Sequence, residues 1–245
     1  MKKIIICLAT AIAFVFTACE EVEHAEGMKT TYYPVWNLEG GSLYAYQVGS
    51  EFVDPGYSAT LDGEDVTADV EVIGEVDGET SGMYQLTYSY TNPDGFTNTI
   101  TRTVAVYDIA NAGTTDISGT YSSSNCSFYR ADDSLVRDWN AYGGYEYEQV
   151  ITPGPAQGLF YVQDLYAGFY QYYYGYGAGY AFKALILLNA DNTINILNGA
   201  DIDPWGDSID DHTTASFYDP ANDKVVINWW WAYYSDFRCT TIYSN

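Results

Sequence analysis

Positive charge is what this chain lacks most. Nine Lys and Arg stand against 33 Asp and Glu in 245 residues, a formal net charge of −24. Phosphate backbones and anionic lipid heads call for clustered Lys and Arg, so nucleic acid is excluded as a partner, while neutral ligands, cations and basic proteins remain. Histidine is rarer still. His24 and His212 are the two present, and cysteine is limited to Cys7, Cys19, Cys126 and Cys239. Neither set has the ligand spacing of a zinc site or supplies a paired nucleophile and base, so no metal, cofactor or catalytic residue is assigned. Carboxylates alone suffice for a glycosidase, and 33 of them leave a hydrolase as a third reading. Long hydrophobic runs are also missing. The longest, Ile4 to Phe16, falls short of the roughly 20 residues of a spanning helix. No stretch sustains the 3.6-residue period of an amphipathic helix.

What the chain does have is aromatic side chains, with 26 Tyr, 10 Phe and 6 Trp, alongside frequent Gly and Thr. This is the composition of extracellular β structure. The N-terminus agrees with export. Lys2 and Lys3 precede the apolar run, and Thr17-Ala18-Cys19 closes it, the pattern of a lipoprotein signal whose cleavage leaves an acylated Cys19 as the new N-terminus. Residues 1–18 are then signal peptide and 19–30 an acidic tether. Losing Lys2 and Lys3 leaves seven basic against 33 acidic side chains, a net charge of −26. The loose lipobox resembles that of Bacteroidetes-type lipoproteins. The cluster Glu20-Glu21-Val22-Glu23 resembles the signal that sends such proteins to the outer face of the outer membrane. Both imply a lipid-anchored, cell-surface location.

Residues 31–108 carry short alternating runs between turn signals at Asp54-Pro55-Gly56, Asp62-Gly63, Asp77-Gly78 and Asn92-Pro93-Asp94-Gly95. Tyr84, Leu86, Tyr88 and Tyr90 fall on one strand face and are expected in a core. Asp65 in Asp65-Val66-Thr67 is read as a turn cap and not as a metal ligand. The ordered motifs Val48-Gly49-Ser50-Glu51-Phe52-Val53-Asp54-Pro55-Gly56-Tyr57, Asp65-Val66-Thr67, Ser81-Gly82-Met83-Tyr84 and Arg102-Thr103-Val104-Ala105-Val106 resemble the bacterial immunoglobulin-like domain of surface lipoproteins associated with polysaccharide utilisation. That resemblance implies a spacer, and an accessory role beside an outer-membrane uptake complex.

After a linker at 109–116, residues 117–245 shift toward Tyr. Strands are expected at 119–130, 146–152, 159–166, 181–188, 193–197, 213–218, 224–234 and 237–243. The chain is therefore read as all-β, an N-terminal immunoglobulin-like β-sandwich followed by an antiparallel domain that is either β-barrel-like (calycin-like) or a sandwich. An up-and-down sheet that closes pairs its first and last strands. Cys126 and Cys239 sit on those two, so a disulfide between them is expected in an oxidising compartment, with two buried thiols as the alternative.

Alternation splits the Trp229-Trp230-Trp231 strand. Val225, Ile227, Trp229, Trp231 and Tyr233 form an apolar face read as core. Trp230 and Tyr234 project from the mixed face with Asn228, and stacking on such rings suits sugar. The glycine-rich segment bearing Tyr170, Tyr172 and Tyr174 offers further rings, by the logic of adaptable recognition loops. Trp205 is a third stacking candidate within an aspartate-rich turn whose spacing departs from an EF-hand, with His212 at the position of the last ligand. The function expected is non-catalytic binding of a polysaccharide or oligosaccharide. The alternative is a structural or protein-interaction component of the outer-membrane surface.

Overall fold

The computed structural model describes residues 30–130, 132–138, 147–197, 209–231 and 237–245, without the side chains of Asp210, Trp231 and Phe237. Cys19, Trp205, Tyr233 and Tyr234 lie outside the described residues.

Seven strands build the first half. β1 (Val35–Leu38), β3 (Tyr57–Leu61) and β4 (Glu64–Asp65) form one small antiparallel sheet. β2 (Leu43–Gln47), β7 (Thr97–Tyr107), β6 (Gly82–Thr91) and β5 (Glu71–Ile73) form the other in that order, with β2 parallel to β7. Leu86, Tyr88 and Tyr90 are buried along β6, as alternation requires, while Tyr84 is half-buried. Arg102, fully buried on β7, ties the two sheets together. Its guanidinium donates to the carbonyls of Glu39 (2.7 Å), Gly56 (2.8 Å) and Gly41 (3.3 Å) and pairs with the carboxylate of Asp54. Tyr88 donates its hydroxyl to the other Asp54 oxygen at 2.5 Å. The Asp-Pro-Gly and Arg-Thr-Val motifs, far apart in sequence, are thus the two ends of one buried network. Asp65 caps its turn as expected, accepting the Thr67 N–H at 2.9 Å.

The second half is a single curled sheet. Its strands are β8 (Gly119–Tyr121), β9 (Ser123–Arg130), β10 (Leu135–Asp138), β11 (Gln149–Pro153), β12 (Leu159–Val162), β13 (Ala184–Leu188), β14 (Thr193–Ile196), β15 (Ile209–Asp211), β16 (Ser216–Asp219), β17 (Lys224–Trp231) and β18 (Phe237–Ser244). They pair in the order β10-β9-β18-β17-β16-β14-β13-β12-β11-β8, with β15 added to β17. β8 and β9 are separated only by Ser122, yet β8 pairs with β11 and β9 with β18. One kinked strand therefore supplies β8 at one end of the path and β9, one strand in from the other, which is possible only because the sheet curls back on itself. This favours the barrel-like arrangement over a sandwich. Inside lie Ile151, Val162, Ile186, Ile227, Trp229 and Tyr243 among others.

The halves share a second core. β13 is buried along its whole length: Ala184, Ile186 and Leu188 face the barrel interior, while Leu185 and Leu187 pack with Ala105 and Tyr107 of β7. The connector is packed as well. Ala112 bridges to Asn189, and Gly113 donates to the Leu188 carbonyl at 2.7 Å. A β-carbon on Gly113 would lie 2.9 Å from the Asn189 oxygen, so the close approach requires glycine there.

Candidate binding surface

The tyrosine-rich segment leaves β12 and returns at β13. Asp164, fully buried at its start, sets its path: Oδ1 accepts the N–H groups of Tyr166 (2.9 Å) and Phe182 (2.8 Å), and Oδ2 that of Gly168 (2.8 Å). One carboxylate thus joins both ends of an 18-residue excursion. The barrel holds the same point from below, with Tyr243 Oη donating to the Asp164 carbonyl and Thr241 Oγ1 to that of Leu165, both at 2.5 Å. Trp229 completes the floor. Its indole N–H donates to Thr241 Oγ1 at 3.0 Å, and its ring meets Tyr166 and Phe182 edge-on.

Above this floor the backbone turns at Ala167 and Gly168, both at positive φ, into a single π turn at Phe169–Tyr173. Phe169 points inward and is buried, whereas Tyr172, Tyr174 and Tyr176 are 43%, 49% and 51% exposed. The rings of Tyr170, Tyr174 and Tyr176 are mutually near-parallel, within 20–21°. Their centroids are separated by 5.9, 6.4 and 5.5 Å. A column of stacked rings would make one separation the sum of the other two, so these three form a compact triangular patch instead. Tyr172 stacks on Tyr147 beside it, 4.9 Å apart at 28°.

Two family models match the chain. One describes the Ig-like domain of a bacterial surface protein and covers residues 36–106; the other describes a C-terminal domain and covers residues 110–242. The crystallised lipoprotein BT2262 from Bacteroides thetaiotaomicron is 32% identical, over 87% of this chain and 100% of that one, with a TM-score of 0.41. The chain belongs to this lipoprotein family. Two structures of Clostridium perfringens ZmpB are also similar. One holds the M60 catalytic domain with CBM51-1 and CBM51-2 (19% identity, 54% of this chain and 15% of that one, TM-score 0.31). The other holds CBM51-2 in complex with GlcNAc and INT domains (18% identity, 53% and 31%, TM-score 0.31). Overlap that low says nothing about what the lipoprotein binds. No curated protein matches.

The remaining sites expected in the lipoprotein fare unevenly. Trp229 is core, as alternation indicated, and Trp230 stands on the outer face, half-buried, with its ring 4.4 Å from that of His212. Burial and the nearby Arg238 hold His212 below the usual imidazole range, against a weaker opposing pull from Asp133. Asn228 is a correction. Expected to meet sugar hydroxyls, it is 3% exposed, and its carboxamide is engaged by Arg238 (3.1 Å), Thr240 (2.7 Å) and the Ala215 carbonyl (2.9 Å).

The disulfide is a second correction. β9 and β18 do pair, but the register sets Cys126 opposite Thr241 and Cys239 opposite Phe128. The cysteines therefore sit on a diagonal, where Cα atoms are about 7–8 Å apart, beyond the usual reach of a disulfide. Both are buried thiols, and burial pushes the Cys239 thiol well up.

A cleft of about 720 Å³ also opens between the halves, lined in part by Asp108, Asp191 and Asp211. Its carboxylates already serve the fold: Asp191 accepts from the Thr193 N–H and hydroxyl, Asp211 from Ile196 N–H and Asn195, and Asp108 from Gln47 and Asn111. Sequence reading missed Asp164, which sets the path of the tyrosine segment, and, beside that segment, Tyr147 and Gln149. A buried polar residue at an inward strand position, as Gln149 is beside Ile151, is the signal that could have exposed one of them.

Proposed function

We propose that the lipoprotein is anchored in the outer membrane through an acylated Cys19, faces the cell exterior, and binds neutral polysaccharide or oligosaccharide without cleaving it, as an accessory to an outer-membrane uptake complex. The observation that carries the binding is the ring patch: Tyr170, Tyr174 and Tyr176 near-parallel, the latter two half exposed, on a segment pinned at both ends by Asp164. Pyranose faces present polarised C–H groups, and rigid rings offer them area at small entropic cost. The surrounding negative charge turns away polyanions and leaves neutral sugars acceptable. The packed interface between the halves suits a spacer that holds the patch at a fixed angle. Trp230, Tyr234 and Trp205 are proposed as additional ring contacts.

Affinity-gel electrophoresis of the full chain against neutral polysaccharides tests this. The double variant Tyr174→Ala/Tyr176→Ala should weaken retardation by about 5-fold or more, at roughly 0.5–1.5 kcal/mol per ring. Its denaturation midpoint should barely move, because exposed rings contribute little to stability. Retardation equal to that of the unaltered protein would refute the patch and favour the protein-interaction reading.

A further inference from the structure

The cleft between the halves, about 720 Å³, has the size of a small-ligand site, since such sites run roughly 300–1,000 Å³ and favour domain junctions. Its walls come from both halves. Ser81 precedes β6, Asn111 belongs to the connector, and Asn189 and Asn195 flank and follow the β13–β14 turn. The polar side chains there are locked in one orientation. Thr193 gives its hydroxyl hydrogen to Asp191 Oδ1 (2.6 Å), so its oxygen accepts from Asn189 Nδ2 (3.0 Å). Asn189 spends its second amide hydrogen on Asn195 Oδ1 (2.8 Å), and Asn195 Nδ2 donates to Asp211 Oδ2 (3.1 Å). A carboxylate at each end thus fixes which way every amide between them points. Asn111 is set in the same manner, its Nδ2 donating to Asp108 Oδ2 at 2.5 Å. That locking leaves a defined set of unspent atoms. Among the described residues, Asn189 Oδ1, Asn111 Oδ1 and the hydroxyl of Ser81 have no hydrogen-bond partner, and Asp191 takes both bonds from Thr193 on Oδ1 and none on Oδ2. Asn111 and Asn195 each keep one amide hydrogen.

We infer that this cleft is a second saccharide site, which takes a neutral mono- or disaccharide by its hydroxyl edge and without ring stacking. It shares no residue with the tyrosine patch and does not depend on it. A hydroxyl donates one hydrogen bond and accepts others, so a polyol suits a lining that offers spare oxygens and spare N–H groups together. Anions are turned away, because the lining holds Asp108, Asp191 and Asp211 and no Lys, Arg or His. A cation is poorly served as well. Both oxygens of Asp108 and of Asp211 already accept hydrogen bonds, which leaves Asp191 Oδ2 alone to meet an ammonium or guanidinium. Leu187 and Leu197, both buried, give the lining an apolar part that suits the C–H groups between sugar hydroxyls. Side chains fixed in advance also lower the cost of ordering that binding would otherwise carry.

The test titrates maltose, cellobiose, lactose and mannobiose into the isotope-labelled, detergent-solubilised full chain, with amide resonances reporting where each sugar binds. At least one of them should shift Ser81, Asn111, Asn189 and Asn195 in a saturable way. Oxidising the primary hydroxyls of that sugar to carboxylates should weaken its binding by about 10-fold or more, and argininamide should bind more weakly than the sugar. Ser81→Ala removes a hydroxyl that holds nothing else in the fold. Its melting temperature should stay unchanged while affinity falls about 5-fold, as for one neutral hydrogen bond. Asn189→Ala should weaken binding further, because it also releases Thr193 and Asn195. Shifts confined to residues 170–176 would overturn the cleft and leave the ring patch standing, whereas shifts at the cleft alone would uphold the cleft and count against the patch. No shift with any of these sugars, tighter binding of argininamide, or unchanged affinity in both variants would each overturn the cleft as a saccharide site.

Discussion

The two halves of this lipoprotein hold their irregular segments by opposite charges. In the immunoglobulin-like half a cation gathers carbonyl oxygens: Arg102 collects those of Glu39, Gly41 and Gly56 and is balanced by Asp54. In the C-terminal half an anion gathers amide hydrogens, Asp164 collecting those of Tyr166, Gly168 and Phe182. The outcomes differ. Arg102 lies between two sheets, and everything around it is turned into structure, which suits a spacer. Asp164 lies under a segment whose far side carries exposed rings, so the same kind of anchor serves to present side chains to solvent. A fixed base beneath exposed rings is the arrangement that the proposed glycan-binding role calls for.

Replacing the cation should have the largest effect. Arg102→Met leaves Asp54 partly buried and three carbonyls without donors, and should cost about 3–5 kcal/mol, read from the denaturant midpoint. Loss should begin in the first half. Because Leu185 and Leu187 share a core with Ala105 and Tyr107, a single transition for both halves would mean that the spacer and the platform fold as one unit. Two separated transitions would break that coupling and leave the anchors independent.

Replacing the anion should cost less and act more locally. Asp164→Asn keeps one acceptor oxygen and turns an amide donor toward a backbone N–H, which should lose about 2–3 kcal/mol. Hydrogen exchange should accelerate at the amides of Tyr166, Gly168 and Phe182 while β6 and β7 keep their protection. Equal acceleration in both halves would erase the distinction drawn between them. Affinity should fall with the exchange, since the ring patch depends on the segment's path.

Much of this was legible from residue order. Alternation located the long strands, and the faces of β17 separated Trp229 from Trp230 correctly. The strands it missed, Leu135–Asp138 and Ile209–Asp211, are short and charged, and the first is an exposed edge with Leu135 53% accessible. The contact between halves was also missed, although the cue was present: alternation fails at Val104–Ala105–Val106–Tyr107 and at Ala184–Leu185–Ile186–Leu187–Leu188, where both strand faces are buried. An antiparallel strand that is apolar on both faces has a second neighbour to cover. The acidic excess had a further meaning that composition hides. Asp54, Asp65, Asp77, Asp116, Asp132, Asp164, Asp191 and Asp219 each accept the N–H two residues on. Part of the negative charge is turn chemistry, the Asx turn used repeatedly between strands. The platform was visible only as a cluster of tyrosines, because what orders it is one carboxylate reaching 18 residues ahead.

Acidity offers the finest separation of the halves. Residues 31–108 contain no histidine, so between pH 7 and pH 5.5 the first half has no side chain whose ordinary range is crossed. The second half has His212, packed on Trp230 and held below its ordinary value by burial and then by Arg238. A depressed imidazole pKa means that the fold prefers the neutral ring. Stability from this group is therefore complete above the unfolded value of about 6.5 and is lost as pH falls from there through the folded value. The effect should be the smallest of the set, because the ring is only partly buried and solvent screens it. Urea midpoints at pH 7.0 and 5.5 should show a modest drop for the unaltered protein and a smaller one for His212→Gln, with hydrogen exchange placing the change at β15 and β17 and leaving β6 and β7 untouched. A drop of equal size in the variant would assign the acid sensitivity to carboxylates common to both halves, and the contrast between them would then rest on Arg102 and Asp164 alone.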